Sequence, residues 1–65
     1  MTADLERLRR ALEVMPDADR RVFELARFEG LDYRAIAERL SLTMTEVEAR
    51  MAAAMRHLAD YDQAR

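Results

Sequence analysis

"YRAIAERLSLTMTEVEARM", residues 33–51, is the stretch that decides the fold. Ile36, Ala37 and Leu40 recur at helical spacing behind Asp32, a residue type that caps helix N-termini, and this predicts a short helix over 33–40. Ala37 is small where two helices joined by a short turn must approach closely. Thr43 followed three residues later by Glu46 is a capping box, so a new helix begins there. Val47, Met51, Ala54, Met55 and Leu58 continue at helical spacing and carry that helix to about residue 59. About three residues separate the two helices, which is the outline of a helix-turn-helix.

Working outward, Leu5, Leu8, Leu12 and Met15 form one apolar stripe and predict a first helix over about 3–14, with Thr2 as its cap and Asp4 in its first turn. Pro16 cannot continue that helix and suits the first position of the next, where Asp17 and Asp19 face the positive end of the helix dipole. Val22, Phe23, Leu25, Ala26 and Phe28 then give the second helix, about 16–29, a broad buried face. Gly30, the sole glycine, falls where a left-handed helix end is expected. The polar tail "DYDQAR" is expected to fray. The reading is one all-α domain over residues 1–65: four helices, at about 3–14, 16–29, 33–40 and 44–59, with a helix-turn-helix. Ile36, Ala37, Leu40, Val47 and Met51 are expected between the last two helices, and Val22, Leu25 and Phe28 are expected to close the core.

Composition narrows the function. Sixty-five residues approach the lower limit for an unaided core, and with no cysteine neither disulfides nor thiolate metal sites are available to support it. All eleven basic residues are arginine, yet the net charge of −2 runs against the basic excess of a general nucleic-acid binder. No apolar run approaches a membrane span and no basic-then-apolar leader is present, so a small cytoplasmic protein is expected. His57 stands alone among apolar neighbours, and the carboxylates are spread over surface faces with no nucleophile–base pair. Neither catalytic residues nor a metal or cofactor site is expected.

The segment "MPDADRRVFELARFEGLDYRAIAERLSLTMTEVEARMAAAMRHL" resembles region four, the C-terminal helix-turn-helix domain, of bacterial RNA polymerase sigma factors of the extracytoplasmic-function type. Met15-Pro16, Arg20 to Phe23, Glu29 to Leu31, Tyr33, Ile36 to Leu40, Val47-Glu48 and Arg56 to Leu58 carry the resemblance. It implies a small winged-helix-like domain without a wing. It also implies a last helix that enters the major groove of an upstream promoter element, and docking on polymerase core. Nothing in the chain corresponds to the promoter-melting region. Ser41 stands where the family often has glycine, and Glu48, Ala52 and Ala53 stand where its members commonly carry lysine or arginine.

The candidate DNA contacts are Arg34, Arg39, Thr43, Thr45, Glu46, Ala49 and Arg50. Arg34 and Arg39 suit phosphates beside the groove, or else pair with Glu38 or Asp32. Thr45 and Glu46 stand where base edges are read, although the capping box already claims Glu46. Arg50 is the best single cation for DNA; the competing reading pairs it with Glu46 four residues earlier. Residues 43–59 hold two arginines against two glutamates, so DNA binding by the domain alone is expected to be weak. A second function fits the same helix: Ala49, Ala52, Ala53 and Arg56 form a smooth face for another protein, either polymerase, a regulator or a second copy in a homodimer.

Overall fold

A computed structural model describes the backbone of residues 2–63 and the side chains of residues 5–61. Four helices follow in order: α1 (Thr2–Glu13), α2 (Asp17–Arg27), α3 (Tyr33–Leu40) and α4 (Met44–Gln63). Among the described residues there is no strand, so the chain is the all-α, four-helix domain that the periodicity predicts. The expected cap at Thr2 and the side chain of Asp4 lie outside the described side chains.

Each break has a local cause. Pro16 occupies the position just before α2, one residue earlier than expected, and its carbonyl accepts the first helical hydrogen bond from Arg20 N at 2.9 Å. Asp17 and Asp19 fall in the first turn, as the dipole favours. Arg20 ties the corner together: its guanidinium pairs with Asp17 and donates to the Leu12 carbonyl at the end of α1, at 3.3 Å. At the far end of α2 the chain reverses through Gly30, whose φ of 69° is the left-handed conformation glycine adopts without steric cost.

Two apolar clusters share α2 and α4. Val22, Leu25, Ile36, Ala37 and Val47 join α2, α3 and α4; Leu12, Met15, Phe23 and Ala54 join α1, α2 and α4. Met51 packs against both, a bridging role that suits a flexible, polarizable side chain. The structure corrects several expectations. Phe28 does not close the core: α2 ends at Arg27, and Phe28 is 60 % exposed, set edge-on to Phe23 with centroids 6.2 Å apart. Leu31 packs against the helix-turn-helix cluster instead, its N–H bonded to the Leu25 carbonyl. Leu5 lies a turn before the packed part of the α1 stripe and is 68 % exposed, whereas Ala11, outside that stripe, is buried. Leu40 and Met51 are half-buried. α4 does not end near residue 59 but continues to Gln63, so the described part of "DYDQAR" is helical. No glycine or proline interrupts it, and Tyr61 lines a groove against Arg7, Leu8 and Ala11 of α1.

Ile36 is fully buried, so Ile36→Asp places an unpaired charge in the main cluster and costs more than the few kcal/mol a domain of this size holds in reserve. Circular dichroism is expected to show lost cooperative melting, and full helicity with an unchanged transition would contradict this core. Ser41 holds φ 58°, ψ 44°, a left-handed conformation costing a serine roughly 1 kcal/mol. Ser41→Gly relieves that strain while adding freedom to the unfolded chain, for a net gain of about 0.5 kcal/mol, or about 2–4 °C in Tm. A lower melting temperature would contradict strain at this turn.

Candidate nucleic-acid interface

The turn between α3 and α4 is fixed by backbone and side-chain hydrogen bonds together. Asp32 Oδ1 accepts from Ala35 N at 2.9 Å, capping α3 as its residue type predicts. Past Leu40 the chain turns left-handed at Ser41, and the Ala37 carbonyl accepts both from Ser41 N and, at 2.9 Å, from Leu42 N, which closes the helix end. The capping box then closes from both sides: Thr43 N donates to Glu46 Oε1 at 2.8 Å, and Glu46 N donates to Thr43 Oγ1 at 3.0 Å. Thr43 Oγ1 and Glu46 Oε1 are therefore engaged in starting α4, while the Thr43 hydroxyl can still donate and Glu46 Oε2 can still accept. Both are exposed, and the capping bonds hold both side chains at the start of the helix.

Burial orients the helix. Val47 and Ala54 are fully buried, with Met51 and Leu58 half-buried beside them. At roughly 100° per residue, the opposite side of α4 carries Thr45, Ala49, Ala52 and Arg56, and all four are exposed. Ala53, expected on that smooth face, is half-buried at its edge. Met44 and Glu48 are exposed on one flank, and Arg50 is on the other.

The arginines divide by partner. Arg39 pairs with Glu29 at 3.8 Å, across the α2–α3 connection, and not with Glu38 or Asp32; both side chains are about half exposed, so the pair is weak and easily screened. Arg50 does not pair with Glu46. Its guanidinium reaches Asp19 Oδ1 of α2 at 3.5 Å, 31 residues away in sequence. The reason is visible in the capping box, which holds the Glu46 carboxylate at the start of its own helix. Among the described residues neither Arg34 nor Arg56 forms an ion pair, and both are exposed.

Asp19 is the residue that sequence reasoning missed. Among the described residues it is the one charged side chain that is buried, 7 % exposed. Locally it looks like Asp17, an acid in a first helical turn, and only the packing of α2 on α4 brings it to Arg50. His57 is half-buried, with Nε2 enclosed and no hydrogen-bond partner in the structure. Among the described residues no group of three or more metal-ligating side chains comes together, and no helix is long and apolar enough to cross a membrane.

Comparison with known proteins bears on the same elements. No match is found among curated proteins or among solved structures. The family described as sigma-70, region 4 matches residues 5–58, which include most of α1, all of α2 and α3, and most of α4. That family is one of DNA-binding helix-turn-helix modules in transcription, with DNA and RNA polymerase as its partners in general; the match lends no support to a homodimer. With its matched segment covering the left-handed turn, the capping box and the outward face of α4, this chain belongs to the sigma-70, region 4 family.

Proposed function

We propose that the domain binds duplex DNA by laying the outward face of α4 in the major groove, weakly on its own, and that it serves promoter recognition alongside RNA polymerase, as a domain of the extracytoplasmic-function type. The observation that carries this reading is the presentation of α4. Its buried side is locked by Val47 and Ala54, its N-terminus is set by the capping box, and Thr45, Ala49, Ala52 and Arg56 are left facing outward. Ala49 and Ala52 are small enough for the helix to enter deeply, and alanine offers thymine methyl groups an apolar contact. Among the described residues Arg34 on α3 and Arg56 on α4 form no ion pair and are open to phosphates; Arg39 and Arg50 are shared with Glu29 and Asp19. With so few open cations, affinity is low, because phosphate neutralisation supplies most salt-dependent binding. Its activity is recognition without catalysis, and it requires no cofactor.

One feature favours a second reading. The outward face of α4 has two alanines near its centre and an exposed Met44 on one flank, which is also the character of a protein-binding surface. A salt series separates the two. Anisotropy of a labelled random duplex is expected to give a shallow slope of log K against log salt, with a magnitude of about two to three. Arg34→Ala and Arg56→Ala are each expected to lower that magnitude by about one, and Glu48→Lys and Ala52→Arg to tighten binding and steepen it. If the parent and all four variants fail to bind even at low salt, the DNA reading falls and the protein-interaction reading replaces it.

A further inference from the structure

We infer that Asp19 is an internal counter-ion for Arg50, a positioning residue that holds this guanidinium on the flank of α4 and withholds part of its charge from DNA. The inference rests on the DNA-binding reading and extends it to a residue outside the helix-turn-helix. Three observations combine. Asp19 is buried, so its carboxylate is poorly solvated and needs a partner. The contact to Arg50 is single and long, 3.5 Å from one guanidinium nitrogen to one carboxylate oxygen, which leaves the other Arg50 donors uncommitted. The Arg50 side chain is 49 % exposed, so an incoming anion can reach the uncommitted donors.

Arg50 springs from the flank of α4 nearer its buried side, and its half-exposed guanidinium is the part of that flank that a phosphate of the sugar–phosphate wall would meet, while Thr45, Ala49 and Ala52 face outward. A phosphate arriving there finds a cation already half-neutralised by a fixed carboxylate. It must share Arg50 with Asp19, so fewer counter-ions are released from the DNA than a free arginine would displace. A buried carboxylate cannot swing away as a surface one can. Asp19 thus lowers affinity, and the same restraint keeps Arg50 in one place on the helix flank.

Asp19→Asn separates charge from shape, because the amide oxygen can still accept from Arg50 while the negative charge is gone. Binding of a random duplex is measured across a salt series for the parent, Asp19→Asn, Asp19→Ser, Arg50→Gln and the double variant Asp19→Asn/Arg50→Gln, each checked for cooperative melting. Serine is tolerated in a first helical turn, so Asp19→Ser stands in if the amide variant does not fold. The expected result is about fivefold tighter binding for Asp19→Asn at 0.1 M salt, with the slope steeper by up to about one. Most of that change in slope is expected to vanish when Arg50→Gln is present. Unchanged affinity and slope on removing the charge would overturn the inference and leave Asp19 a structural residue. Weaker binding would overturn it by showing that the carboxylate assists the arginine. If the parent binds no DNA even at low salt, the DNA reading fails and this inference fails with it; if the parent binds with a slope indifferent to Asp19, only the inference fails.

Discussion

The contact among Val22, Ile36 and Val47 fixes everything that faces outward. All three are fully buried, one from each of α2, α3 and α4, and they are the largest side chains the domain encloses completely. Each contributes roughly 1.5–3 kcal/mol of transfer free energy by being removed from water. In a 65-residue chain, where total stability is a small difference between large opposing quantities, that is a large share. The contact also sets orientation. With Val47 held inward, Thr45, Ala49 and Ala52 have no choice but to face solvent. The left-handed turn at Ser41 and the reciprocal capping bonds at Thr43 and Glu46 act on the same point from the backbone side: they decide where α4 starts, and hence which residue meets Ile36.

That frame presents a surface with little charge to spare. Glu46 is spent on the cap, Arg39 on Glu29, and Arg50 on Asp19. The pairs differ in kind. Arg39–Glu29 is half exposed on both sides and is screened at physiological salt, so it gives way readily. Asp19 is buried, and its carboxylate stays where α2 puts it whether or not Arg50 remains. Removing Arg50 would leave that carboxylate without its ion-pair partner. Arg50 is therefore tied to the fold as well as to the interface, and a change there cannot be read as loss of a DNA contact alone.

Much of this was legible in the residues. The capping box at Thr43 and Glu46, the Asp32 cap and the left-handed glycine at Gly30 are short-range patterns whose physics is contained within a few residues, and each appears as expected. Helix ends that depend on tertiary packing were less legible. The stretch "DYDQAR" reads as a polar tail, yet the helix continues to Gln63, with Tyr61 lining the same groove as Arg7, Leu8 and Ala11 of α1. Phe28 matches the apolar pattern of α2 but falls just past its end, where Leu31 takes the inward place. The partners of the candidate site were least legible. Charge pairing by i,i+4 spacing points Arg50 to Glu46, whereas the actual partner lies 31 residues away and depends on how α2 crosses α4. Long-range pairs of this kind leave no trace in local spacing.

The central claim, that the outward face of α4 is the surface that meets DNA, is tested most directly by NMR titration of the uniformly 15N-labelled domain with a random duplex at low salt. Amide shifts are expected to concentrate from Thr43 to Arg56 and around Arg34, with α1 unaffected. Shifts confined to the groove between α1 and the end of α4, or none at any DNA concentration, would contradict it.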